Sequence, residues 1–213
     1  MKERYNSAKI FSAILLALVA VAVMAWADSG ARAVEDSKSK ASAAPKVGEA
    51  APDFRLPYAT QEKLFMKPEE QMTLASLRGK NVILAFYPAD WSGGCTKEVC
   101  MLRDTFAELG KLNATVLGIS GDYVFSHHEW AKFHKLQFPL LSDHDHKVAR
   151  MYDSYMEEYG FNKRTAYLID KDGIVRYVNL TFKVGDATDY NKLRAELEKL
   201  NPTPPPNAGQ KKD

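Results

Sequence analysis

The chain has 213 residues, of which 46% are hydrophobic, 26% charged and 11% aromatic, proportions that exclude a disordered or fibrous protein. Two cysteines are too few for the disulfide framework of a small secreted scaffold, so stability must come from a buried core. Lys2, Arg4, Lys9 and Glu3 fall in residues 1–27 and the remainder holds 26 basic and 26 acidic residues, which offers no basic field for nucleic acid and no acidic one for a cationic partner.

Ile10 to Ala27 is an uncharged run of 18 residues behind a net-positive start. It ends in small residues at Ala25 and Ala27, the pattern of a secretory signal. An uncleaved membrane anchor over 1–27 is the alternative, since roughly 20 apolar residues cross the hydrocarbon layer. Either reading sends the rest of the chain across the membrane. Export is expected, to a bacterial periplasm. Residues 28–45 are small and polar without apolar periodicity and read as a linker; the Pro-rich 201–213 reads as a disordered tail. One domain is expected over 46–200.

Within that domain, NVILAFYP (81–88) suits a buried central strand. The loop ADWSGG follows, and from Cys95 to Leu112 the apolar positions Val99, Leu102, Phe106 and Leu109 recur at helical spacing. ATVLGIS (114–120) predicts the next strand and Tyr123 to Leu136 the next helix. FPLLSD, a helical HKVARMYD, the strands RTAYLID and IVRYVNL joined by KDG, and a helix from Ala187 to Leu200 complete the domain. Strands alternating with helices predict an α/β fold, a central mixed sheet flanked by helices on both faces.

Cys95 falls at the first turn of a helix, where unpaired amides and the positive end of the dipole favour a thiolate. Gly93 and Gly94 before it let backbone approach a small substrate. Cys100 is five residues on, about 140° around an ideal helix and roughly 8.6 Å away between Cα atoms, beyond the reach of a disulfide. The two thiols therefore react with each other only if the first turns unwind. On spacing alone, Cys100 reads equally well as a small buried hydrophobe.

The string FYPADWSGGCTKEVCMLRD resembles the peroxiredoxin family, whose hallmark is a Pro, three residues, Thr or Ser, two residues and a Cys, here Pro88, Ser92 and Cys95. The likeness runs from VGEAAPDFRLP near Val47 through LLSDHDHKVA to RTAYLIDKDGIVRYV. It implies a thioredoxin-like fold and a thiol peroxidase without metal or organic cofactor, working as a monomer or homodimer. The resemblance makes Cys95 the peroxide-attacking cysteine and makes Ser92 a hydrogen-bonding partner of peroxide and thiolate. Pro88 would shield the site from water, and Arg164 would be the site arginine. The chemistry of these side chains suits those roles, because a permanent guanidinium stabilises a thiolate and polarises a breaking O–O bond, and a hydroxyl both donates and accepts.

CTKEVC is similar to the bacterioferritin-comigratory, or Q-type, branch, which implies that Cys100 resolves the Cys95 sulfenic acid into an intramolecular disulfide. A thioredoxin-like reductant would reopen it. EEYGFNKRTAYLIDKDG looks more like the alkyl hydroperoxide reductase E branch. Two departures stand out: Ser92 where Thr is commoner, and SGGC where the Q-type branch has TPGC. Gly94 and Trp91 are expected at the substrate, with Glu98 a surface charge or a further site residue. His127, His128, His134, His144 and His146 read as solvated surface and cap residues, and no spacing joins them to Cys95 as metal ligands. Competing readings are a copper-assembly protein, disfavoured because such proteins resemble C-x3-C, and a thiol-disulfide oxidoreductase, disfavoured by the absence of C-x-x-C.

Overall fold

The computed structural model of the protein describes residues 44–201. The expected signal or anchor, most of the linker and all but the first residue of the tail lie outside these described residues.

Strands β1 (Arg55–Leu56), β2 (Tyr58–Ala59), β3 (Leu64–Phe65) and β4 (Met72–Thr73) open the domain, followed by a 3-10 turn at Ala75–Leu77. Then come β5 (Asn81–Phe86), α1 (Gly93–Lys111), β6 (Ala114–Ser120), α2 (Val124–His134), β7 (Leu140–Ser142) and α3 (Lys147–Met151). A small hairpin of β8 (Tyr155–Met156) and β9 (Phe161–Asn162) precedes β10 (Thr165–Ile169), β11 (Val175–Asn179) and α4 (Ala187–Leu200). Every element expected from periodicity is present with ends shifted by at most two residues. The short strands β1–β4 and the β8–β9 hairpin were not expected, because two-residue strands are too short to carry an alternating pattern.

The main sheet has seven strands in the order β11-β10-β5-β6-β7-β2-β3. β5, β6 and β7 run parallel, whereas β10 runs antiparallel to β5 and β11 to β10. All six residues of β5 are buried, since its alternate side chains enter two separate cores. Ile83 and Ala85 pack with Val99, Leu102, Trp130, Leu193 and Leu197 from α1, α2 and α4. Val82, Leu84 and Phe86 pack with Val148 and Ala149 of α3 and with Phe54, Tyr152 and Tyr167. Helices therefore cover both faces, as expected, and the C-terminal end of β5 is the point where the chain leaves the sheet for α1.

Candidate active site

Tyr87 continues β5 inward as a fully buried side chain. Gly118 on β6 makes room for it: a Cβ there would lie 3.3 Å from the Tyr87 ring and 2.6 Å from Leu140. The chain then turns through Pro88, half-buried, to Trp91, whose φ of 61° is left-handed, a conformation that costs a non-glycine residue on the order of 1 kcal/mol. That turn delivers Ser92 as the N-cap of α1. Its hydroxyl accepts a hydrogen bond from Cys95 N at 3.4 Å and donates to Ala89 O at 3.2 Å. Cys95 is the third residue of α1 and fully buried, at the positive end of the helix dipole.

Arg164 arrives from the strand next to β5. The antiparallel register pairs Thr165 with Phe86, so the residue before β10 sits beside the loop that leaves β5. Arg164 Nη1 donates to Glu98 Oε2 at 2.6 Å, and Cys95 lies near enough to act on its charge. Burial opposes the guanidinium's charge, but Glu98 and then Cys95 more than offset it and hold Arg164 above its ordinary value. It lies so close over α1 that a Cβ on Gly94 would fall 2.7 Å from Nη2. Glycine at that position is a requirement of the arginine's seat.

Glu98 is 1% exposed, so it is not the surface charge that its place on the helix also allowed. Burial pushes its carboxyl up to about 7 against the lowering effect of Arg164. Tyr190 on α4 lies close enough for Glu98 to raise its hydroxyl, after burial itself. That hydroxyl is buried without a hydrogen-bond partner in the described structure.

A second set of polar groups holds the loop and was not expected. Asp90, with a fully buried side chain, accepts from Tyr87 Oη at 2.8 Å and from Ser126 Oγ at 2.7 Å. His127 Nδ1 lies 2.9 Å from the same carboxylate, and its Nε2–H donates to Leu141 O at 3.1 Å. Asp90 N donates to Asp122 Oδ2 at 2.9 Å. His127 is thus a fully buried bracket between α2, β7 and the loop, which corrects its reading as a solvated residue. Its burial follows from Asp90, which no local pattern announces. Trp91 is engaged in the same bracket, its Nε1 donating to Ser126 Oγ at 3.1 Å while 53% of the residue stays exposed.

The structure thus brings together Ser92, Gly94, Cys95, Glu98 and Arg164, with Pro88 at the head of their loop. Cys100, farther along the intact α1, is a free, half-buried thiol, and Cys95 is likewise free. His134, expected at the surface, is half-buried with Nδ1 at 3.8 Å from Cys100 Sγ.

Sequence comparison bears directly on this arrangement. The profile of the AhpC/TSA family matches residues 47–178. The chain belongs to this family, the peroxiredoxins. A putative peroxiredoxin bcp of Coxiella burnetii is 41% identical over 139 residues, 62% of this chain and 87% of that one. The chloroplastic peroxiredoxin Q of Oryza sativa subsp. japonica is 41% identical over 108 residues, half of each chain. Among solved structures, the peroxidoxin BcpB of Mycobacterium tuberculosis superposes with a TM-score of 0.63 at 31% identity, covering 73% of this chain and 98% of that one. These relatives put this peroxiredoxin with the Q-type, bacterioferritin-comigratory branch and give it the thioredoxin-like fold. It is a thiol-dependent peroxidase.

Proposed function

We propose that this peroxiredoxin is exported, destined for a bacterial periplasm, and reduces hydrogen peroxide and organic hydroperoxides through Cys95. The Cys95 thiolate attacks the terminal peroxide oxygen. An S–O bond forms as the O–O bond breaks, and the departing oxide takes up a proton to leave as water or an alcohol. Arg164 stabilises the negative charge as it passes from sulfur to the leaving oxygen. The Ser92 hydroxyl hydrogen-bonds the peroxide and the thiolate, and Pro88 keeps water from the loop side. Gly94 admits the guanidinium, and Glu98 holds it in place. Cys100 then attacks the Cys95 sulfenic acid and water is lost as the disulfide forms; a thioredoxin-like reductant restores both thiols.

The observation that carries this reading is the convergence of Ser92 and the Arg164–Glu98 pair on a buried thiol at the start of α1. With α1 intact between the cysteines, the resolution proposed here requires its first turn to unwind. Peroxide consumption by the reduced protein and by Cys95→Ser tests it. The variant is expected to lose the activity, and a variant that keeps it overturns the assignment. Export is tested by locating the full chain after fractionation of an expressing cell; retention in the cytoplasm contradicts it.

A further inference from the structure

Cys100 and His134 come from different helices, 34 residues apart in sequence, and meet with Sγ 3.8 Å from Nδ1. The contact is held from both sides. Arg103, three residues after Cys100 and so on the same side of α1, donates Nη1–H to the main-chain oxygen of His134 at 2.9 Å. The imidazole is walled by Trp130 and Phe133, both edge-on at centroid distances of 5.8 and 4.9 Å, and by Trp91 at 6.5 Å. The titratable or charged groups facing it are Cys100 and Arg103 from α1; Asp104 sits on the far side of Arg103, bonded to its Nε at 2.8 Å. The aromatic neighbours from the loop and from α2 bring no charge.

We propose that His134 is the proton acceptor that readies Cys100 for attack on the Cys95 sulfenic acid. This rests on the reading that Cys100 resolves that acid. Burial first, and Arg103 second, push the His134 imidazole below its ordinary range, so at neutral pH it is uncharged and keeps a lone pair. With the proton on Nε2, Nδ1 takes the proton from the Cys100 thiol, and the resulting thiolate gains the nearby Arg103 charge. The sulfur's electron pair forms the S–S bond to Cys95, and the S–O bond breaks with its pair passing to oxygen. The departing hydroxide takes the proton back from His134 and leaves as water. Cys100 is oxidised and the Cys95 sulfur reduced, so the step needs no outside electron carrier. The helix turn bearing Cys100 is tied to α2 through His134 and Arg103, which assigns the unwinding to the first turn, so that Cys95 travels to a waiting thiolate.

The test is single-turnover disulfide formation by the full-length reduced protein after one equivalent of peroxide, quenched with an alkylating agent and read by intact mass, from pH 5.5 to 9.5. An unassisted thiol near 8.5 is only about 3% ionised at pH 7. His134→Gln is therefore expected to slow the disulfide step about tenfold at pH 7. It should rejoin the wild-type rate near pH 9, where any thiol ionises unaided. Wild-type rates should already be level above about pH 6.5. Equal rates across the range overturn the proposal. So does a uniform slowing that persists at high pH, which marks damage to packing. If the wild type forms no Cys95–Cys100 disulfide at all, the resolving role falls and the proposal with it. A disulfide formed at His134-independent rates removes the proposal alone.

Discussion

Arg164 and Glu98 form an ion pair of 2.6 Å across the start of α1, between a side chain that is 24% exposed and one that is 2% exposed. The carboxylate has given up water for a single guanidinium, which that guanidinium does not fully offset, and its carboxyl is pushed up to about 7. The arginine's other neighbour is Cys95. One cation therefore serves a buried acid and the candidate nucleophile together.

The acid makes stability depend on pH. Its folded value of about 7 lies above its ordinary value of 4.5, so the folded chain binds the proton more tightly than the unfolded one. This contribution is full below about pH 4.5 and is lost as the pH rises through 7, amounting to about 3 kcal/mol. Urea unfolding of wild type and Glu98→Gln at pH 4 to 8 checks it. The stability of wild type relative to the variant should fall across that window, and parallel profiles contradict the linkage.

Gly94 separates the arginine's seat from the stability of the helix. A methyl group in Gly94→Ala would lie 2.7 Å from Arg164 Nη2, so the guanidinium must shift on its buried partner Glu98, a cost that opposes the gain of up to about 1 kcal/mol from alanine in a helix. The variant should change little in thermal stability while its peroxidase kcat/KM falls roughly tenfold, since displaced charge at a reacting centre is costly. Loss of stability with full activity would contradict the placement of the guanidinium.

The Asp90 carboxylate meets three side chains, the buried Tyr87 and His127 and the half-buried Ser126. Asp90→Ala removes the carboxylate from all three and should cost about 3–5 kcal/mol, the range for breaking a buried pair. Urea denaturation measures it. A cost below about 1 kcal/mol, the worth of an ordinary surface contact, would show that the bracket does not hold the loop.

The two thiols differ in access, Cys95 fully buried and Cys100 half-buried. A bulky maleimide added to the reduced native protein should label Cys100 first and reach Cys95 only as α1 opens. Peptide mapping after partial labelling gives the order; prior labelling of Cys95 contradicts the closed state of the helix start.

What the sequence made legible is local. Cys95 at the first turn of α1 follows from a strand, a loop and a helix written in consecutive residues, and β5, β6 and α4 follow from their periodicity, whereas the capping of α1 by Ser92 was not expected. The role of Arg164 was visible only through resemblance, because its approach depends on the pairing of β10 with β5. The Asp90–His127 bracket spans 37 residues and joins polar side chains that look like surface residues in any local window. The same holds for His134 against Cys100. Burial of Glu98 was undecided in sequence because the side that α1 turns toward Arg164 is set by tertiary packing, not by its own apolar stripe.

The most direct test of the account is the intact mass of the fully reduced chain after one equivalent of hydrogen peroxide, with the modified residues mapped by fragmentation. The account predicts a loss of two hydrogens and a bridge between Cys95 and Cys100, with neither change in Cys95→Ser. An unaltered Cys95, or a chain that simply gains one oxygen at Cys95 and holds it with Cys100 still free, would contradict it.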